Sequence, residues 1–309
     1  TFLESAQLER LCSLVRREFE CAGLPIEWTV EGNPEGLSAE KIQILKSHGV
    51  TRFSLGIQSF NDRHLKYLGR NHDAKTAAET FQRLRDEGIK NISVDLMFGF
   101  PGQTLDELKD DLEAMIQLES EHVSVYALTI EEKTRFHTRG IKLPEDAVQA
   151  EFYQVVMDEL QRRGFAQYEI SNFARPGFES AHNINYWDGG NYIGLGVGAH
   201  SHADGRRYWN GDQMFDYMKK IQNGQSAVSG EENLTSDQRL REAVVFGLRM
   251  NRGIDLEGLQ KRYQSALMPQ AQERLESFVA GGLLYREESR LSATPRGRMV
   301  LDEMAGYLV

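Results

Sequence analysis

Between residues 3 and 130, short apolar runs alternate with stretches whose apolar positions recur every three or four residues. The runs predict buried strands and the periodic stretches predict amphipathic helices. In order, the spacing predicts a helix over 3–22 stopped by Gly23 and Pro25, then a strand over 26–31. A helix over 38–48 follows, with Ser38 as N-cap and Gly49 past its end, and then a strand over 52–58. A loop leads to a helix over 73–87 that closes at Gly88, and to a strand over 91–98. Thr104 and Glu107 form a capping box opening a helix over 104–118, and a strand over 122–130 completes the run. Strands alternating with helices imply α/β architecture with a parallel sheet or (β/α) barrel. Four strands are too few to close a barrel of eight, and the repeat opens on a helix where a strand is due. A partial (β/α) barrel is therefore expected over 1–135, with the first βα units absent from this chain.

From 131 the pattern changes. Pro144 precedes a predicted helix over 145–163, and residues 165–212, rich in Gly, Asn, Tyr and Trp, read as short strand-like runs and tight turns. With a helix over 212–223 they form an expected α+β bridging segment, 136–228. Over 229–309, helices at 236–250, 255–265 and 270–280 precede strands at 283–287 and 289–292, and Thr294-Pro295 opens a last helix. Three helices and a hairpin resemble a winged helix. Its 11 basic and 10 acidic residues over 236–309 are balanced, and Arg274 is flanked by Glu273 and Glu276. Nucleic-acid binding, which needs a surplus of Lys and Arg, is not expected.

Composition narrows the class. The 309 residues carry a net charge of −10, and no apolar stretch approaches the ~20 residues of a spanning helix. A cytoplasmic protein without a transmembrane segment is expected. Cys12 and Cys21 are the only cysteines, so a disulfide framework is excluded. Nine residues apart at about 100° each, they fall on opposite faces of one helix, about 13 Å apart, and cannot share a metal.

Four polar side chains stand where predicted strands run out: Glu31, Gln58, Asp95 and, just beyond a strand, Arg70. Strand ends of a βα sheet converge on one rim, so the four are expected to line one pocket. Gly32 and Gly56 beside them would let a ligand approach the backbone. Carboxylates suit ribose hydroxyls or an ammonium, and Arg suits a carboxylate, so the set matches a zwitterionic nucleoside. The alternative is four separate caps and ion pairs.

The strings Glu-Gly-Asn-Pro (31–34), Arg-Phe-Ser-Leu-Gly-Ile-Gln-Ser-Phe (52–60), Leu-Gly-Arg-Asn-His (68–72) and Val-Asp-Leu-Met-Phe-Gly-Phe-Pro-Gly-Gln-Thr (94–104) resemble the radical SAM superfamily. They are most similar to its oxygen-independent coproporphyrinogen III oxidase branch, over nearly the whole chain. The resemblance implies that Glu31, Gln58, Arg70 and Asp95 contact S-adenosylmethionine. It also implies a 4Fe–4S cluster held by a C-x-x-x-C-x-x-C loop, which this sequence lacks, together with the Gly-rich loop that follows it. Both would precede Thr1, in about 60 or more residues of missing βα units. Without thiolates no cluster forms, so the sequence as it stands is expected to be catalytically inactive.

A second constellation is His182-Asn183-Ile184-Asn185-Tyr186-Trp187. One imidazole, three hydrogen-bonding groups and two aromatic faces in six residues suit a flat apolar ligand with a central metal, or a buried strand whose side chains pack. The string is similar to the H-N-x-x-Y-W signature of HemW-like haem chaperones. That resemblance implies haem bound by His182, Asn183, Tyr186 and Trp187, with His182 as candidate iron ligand, and transfer of the haem to acceptor proteins. The alternative it leaves is radical decarboxylation of coproporphyrinogen III. Gly194-x-Gly196-x-Gly198 lacks the strand–turn–helix setting of a phosphate loop and reads as close packing of a turn. His200 and His202, two apart on a predicted strand, share a face, making His200 a reserve haem ligand.

Overall fold

The computed structural model describes residues 3–19, 26–132 and 134–308 of the chain, so Cys21 lies outside the described residues. Two compact units are formed, Thr1–Ser180 and Ala181–Val309. The division falls inside the expected bridging segment 136–228, because the first unit's sheet extends past β4 (His122–Ala127). In that sheet β1 (Thr29–Gly32), β2 (Arg52–Gln58), β3 (Ile92–Phe98) and β4 run parallel in order. Beyond β4 lie β6 (Asn172–Ala174) and then β5 (Ala166–Gln167), both antiparallel.

The helices of this unit are α1 (Ser5–Glu18), α2 (Ala39–Ser47), α3 (Asp62–Leu68), α4 (Ala74–Asp86), α5 (Leu105–Gln117), α6 (Arg135–Thr138) and α7 (Asp146–Arg162). The predicted caps form: Ser38 accepts from the Lys41 amide, and Thr104 and Glu107 complete both halves of their box. α3 falls in the segment expected to be loop; Asn61 caps its start and Gly69, at φ 72°, closes its end. Cys12 is buried on α1.

The strand alternation separates two chemistries. Phe53, Leu55, Ile57, Val94, Leu96, Val123 and Val125 are all within 2% of full burial and form the apolar face. The opposite face carries Glu31, then Ser54, Gly56 and Gln58, then Ser93 and Asp95, then His122, Ser124 and Tyr126. The register holds these in rows, with Glu31 beside Ser54 and Asp95 beside Ser124. A polar sheet face beside a fully apolar one needs hydrogen-bonding partners or a ligand, since burying such groups unpaired is costly.

Unit two opens on α8 (Ala181–Trp187). The H-N-x-x-Y-W string is therefore helical and half-exposed, not part of the strand-like runs expected over 165–212. β7 (His200–Ala203), β8 (Arg206–Asn210) and β9 (Val228–Asn233) form an antiparallel sheet. The β7–β8 turn uses Asp204 and Gly205 at φ 53° and 86°, the left-handed pair of a tight hairpin. α9 (Met214–Gln222) lies between β8 and β9 in the chain. The remainder runs α10 (Ser236–Gly247), β10 (Ile254–Asp255), α11 (Leu256–Tyr263), α12 (Pro269–Ala280), β11 (Leu284–Glu287) and β12 (Arg290–Ala293), followed by α13 (Pro295–Met299) and α14 (Leu301–Gly306). β10 pairs with β12, giving the helix, strand, two helices and hairpin of a winged helix. No helix among the described residues is long and apolar enough to cross a membrane.

Candidate functional site

On its polar face the parallel sheet forms a cleft of about 400 Å³ that brings together all four predicted rim residues, Glu31, Gln58, Arg70 and Asp95. Two placements differ from the expectation. Asp95 stands fourth of the seven residues of β3, not at its end, and Arg70 follows α3 rather than a strand. Asp95 still reaches the cleft because strand parity puts its side chain on the polar face. Asn33, Ser54 and Tyr126, which the sequence reading did not select, complete the lining.

Each group is held. Ser54 Oγ donates to Asp95 Oδ1 at 3.0 Å, and Arg70 Nη1 donates to Asn33 Oδ1 at 2.9 Å. His72, buried behind Arg70, bridges Glu35 at 2.9 Å and the Ile57 carbonyl at 3.1 Å, tying the Arg70 segment to β2. Gln58 adopts φ 73°, a left-handed conformation that costs a non-glycine residue on the order of 1–3 kcal/mol, beside an irregularity in the β2–β3 register. Its side chain hydrogen-bonds Tyr126, and its Oε1 is buried with no hydrogen-bond partner. An orphaned amide oxygen in a lined cleft marks a position for a ligand donor. Two carboxylates, a guanidinium and that amide oxygen fit a ligand bearing hydroxyls, an ammonium and a carboxylate.

Burial lifts the Asp95 carboxyl to about 6; Ser54 and Ser124 hydrogen bonds pull it down, and the nearby Glu31 adds to the rise. Burial also raises the Tyr126 phenol, helped by Asp95. Because the folded chain holds the Asp95 proton more tightly than the unfolded one, ionisation costs stability above pH 6, and the cost disappears below about pH 4. About two pH units correspond to at most ~3 kcal/mol. Asp95→Asn is therefore expected to raise the melting temperature of the ligand-free protein at pH 7.5, with the gain fading toward pH 4. A gain equal at pH 4 and 7.5 would trace it to something other than the carboxylate.

The second unit holds a cavity of about 380 Å³ against one face of α8, lined by Asn183, Tyr186 and Trp187 from the predicted string. His182 is exposed, and its ring meets Tyr186 edge-on at 4.8 Å. Tyr192, Phe246 and Tyr263 add aromatic walls. Trp187 lies 6.3 Å from Phe246 between ring centres, under the Arg249 guanidinium at 4.6 Å, and its indole nitrogen is buried with no partner. His202 lines the cavity; His200 is exposed and stacks on Trp209 at 5.8 Å. Of the three glycines expected to be close-packed only Gly194 is, since a Cβ there would fall 2.2 Å from the His200 carbonyl oxygen; Gly196 and Gly198, at φ 110° and 67°, meet nothing nearer than 4.0 Å and serve the turn's left-handed backbone.

Among the described residues no three His, Cys, Asp or Glu side chains are grouped to hold a metal ion. Cys12, buried on α1, supplies no open thiolate site. The described residues fit the organic ligand of the cleft and do not fit an iron–sulfur cluster.

Residues 5–115 match the radical SAM superfamily model, and residues 234–300 match the HemN C-terminal domain. The chain is 36% identical to the heme chaperone HemW of Bacillus subtilis over 310 residues, 99% of this chain and 82% of that protein. It is 34% identical to the heme chaperone HemW of Mycobacterium tuberculosis, covering 100% of this chain and 78% of the relative. Among solved structures it resembles the radical SAM enzyme coproporphyrinogen III oxidase (HemN) of Escherichia coli. The TM-score is 0.85 at 22% identity, over 99% of this chain and 74% of that one. At that identity the likeness speaks for the fold.

Proposed function

The chain belongs to the heme chaperone HemW family of the radical SAM superfamily, and from that premise we propose that it binds haem and hands it to acceptor proteins. The observation that carries this reading is the α8 cavity, where Asn183, Tyr186 and Trp187 of one short helix present a hydrogen-bonding group and two aromatic faces to the same space. Such a mostly aromatic concavity with few polar groups suits a flat ligand. His182, one helical turn before Tyr186 and in ring contact with it, is the motif's candidate iron ligand.

In the first unit, Glu31, Gln58, Arg70 and Asp95 would hold S-adenosylmethionine. The carboxylates would take ribose hydroxyls or the ammonium, Arg70 the carboxylate, and Gln58 Oε1 a ligand N–H or O–H. When bound with a 4Fe–4S cluster, this cofactor supplies a 5′-deoxyadenosyl radical; the residues of this chain bind and orient it. A radical decarboxylation of coproporphyrinogen III has only the likeness of fold behind it.

Haem titration tests the reading. Wild type should show a saturable Soret band at one haem per chain, and Tyr186→Ala with Trp187→Ala should weaken binding by about tenfold or more. A wild-type protein that gives no saturable band sinks haem binding; an unaltered affinity in the double variant moves the site away from α8.

A further inference from the structure

We propose that His72 is a positioning residue for the cleft: it sets where the Arg70 guanidinium meets the carboxylate of S-adenosylmethionine. This rests on the reading of the cleft above. The Leu-Gly-Arg-Asn-His string (68–72) ends on two charged or titratable groups, and that reading uses only Arg70. His72 stands outside the cleft lining, and its side chain is fully buried. Its Nδ1 lies 2.9 Å from Glu35 Oε2, and its Nε2 lies 3.1 Å from the Ile57 carbonyl oxygen. A carboxylate and a carbonyl only accept, so the ring is the donor in both contacts.

Each contact reaches a segment that carries a cleft residue. Glu35 lies in the short 3-10 turn Pro34–Gly36, just after Asn33, whose Oδ1 accepts from Arg70 Nη1 at 2.9 Å. Thr80 of α4 donates to the Pro34 carbonyl at 3.1 Å and holds the same turn from the other side. Ile57 immediately precedes Gln58, whose left-handed φ of 73° falls at the break in the β2–β3 register. One buried ring therefore fixes the Arg70 segment against the segments of Asn33 and Gln58 together.

The Arg70 segment needs such a fix. It runs from Gly69, the left-handed end of α3, to Asp73, the N-cap of α4. The Arg70 amide bonds back to the Leu65 carbonyl at 3.0 Å, and beyond it the chain is a connection between helices. Connections move more than the elements they join, and a displacement of about 1 Å at a binding group costs a large factor in its contact. Arg70 forms no salt bridge among the described residues, although Glu31 and Asp95 line the same cleft. Its fork thus stays open to a ligand carboxylate, and His72 holds the backbone from which it reaches.

Calorimetric titration of the full chain compares S-adenosylmethionine with its decarboxylated analogue, which keeps the nucleoside, sulfonium and ammonium and lacks only the carboxylate. Wild type should prefer S-adenosylmethionine by about tenfold or more. His72→Ala, with folding checked by its melting curve, should lose about tenfold for S-adenosylmethionine and stay within about twofold for the analogue. In an Arg70→Gln background the same substitution should add no further loss. Glu35→Ala removes one anchor at a partly exposed position, and should show the same carboxylate-selective loss even where His72→Ala fails to fold. Unchanged affinity in a folded variant, equal losses for both ligands, or a loss that persists without Arg70 overturns the assignment and leaves His72 to the fold alone. A wild type that binds both ligands alike, or neither, overturns the reading of the cleft itself and the assignment with it.

Discussion

Gly56→Ala is expected to weaken S-adenosylmethionine binding about 100-fold while leaving the first unit folded. A Cβ at this position would fall 2.8 Å from Gln58 Nε2 and 3.1 Å from Asn33 Oδ1. Both obstacles are ends of side chains, so the strand itself need not move, and Gly56 lies outside the left-handed φ range that would add backbone strain. What moves is the cleft. Gln58 would swing away from the position that leaves its Oε1 buried and open to a ligand donor, and Asn33 would be pushed from its 2.9 Å bond to Arg70. Two displaced polar contacts, one to a charged ligand group, at about 1.5 kcal/mol or more each, come to roughly two decades of affinity. Calorimetric titration with S-adenosylmethionine against wild type, alongside a melting curve, checks it. Wild-type affinity in the variant would remove Gln58 and Asn33 from the binding surface; a collapsed melting transition would mean the glycine serves the fold.

That site was partly legible in the sequence. Glu31, Gln58, Arg70 and Asp95 were found because each polar residue interrupts or follows an apolar run, and β2 was bounded at 52–58 because Phe53, Leu55 and Ile57 alternate with small or polar residues up to Gln58. Ser54 and Tyr126 went unselected although the same parity that aims Asp95 inward aims them too; the signal was present in the strand alternation once its register was known. Asn33 carries no strand signal at all, since it sits outside β1 and takes its role from Arg70.

Three short helices among the described residues were missed: α3 and α8 have seven residues and α6 has four. Helices so short gain little from their own periodicity and form where tertiary packing holds them, so a local pattern cannot find them. α8 was further masked by the Gly- and Asn-rich stretch after it, whose φ-permissive residues suggested turns throughout. In consequence, the exposure of His182 and the inward placement of His202 could not be read from the order of residues.

A second large effect is expected at a residue with no ligand role. Asp111, buried on α5, accepts from Ser59 Oγ at 2.7 Å and from the Phe60 amide at 2.6 Å. These bonds pin the turn immediately after Gln58. Asp111→Ala leaves two buried donors unpaired, at about 1–3 kcal/mol each, so a loss of ~3 kcal/mol is expected, about 10 °C in melting temperature for a unit of this size. Asp111→Asn should behave otherwise. Its oxygen still takes the Phe60 amide, so only the Ser59 hydroxyl loses its acceptor. Burial lowers the His64 pKa, and its Nε2 accepts from the Arg63 guanidinium at 3.1 Å, so the neutral ring carries its proton on Nδ1 and donates to Ser59 Oγ rather than accepting from it. Burial also lifts the Asp111 carboxyl to about 6, against the pull of its Ser59 and Phe60 bonds. As for Asp95, the folded chain holds this proton more tightly than the unfolded one, so ionisation costs stability above pH 6 and nothing below about pH 4. The amide escapes that cost, and Asp111→Asn should stay within about 1 kcal/mol of wild type at pH 7.5. Denaturant melts of both variants at pH 4 and 7.5 decide the matter: equal losses for Ala and Asn would mean that the negative charge, and not the acceptor kept for the Phe60 amide, holds the turn behind Gln58.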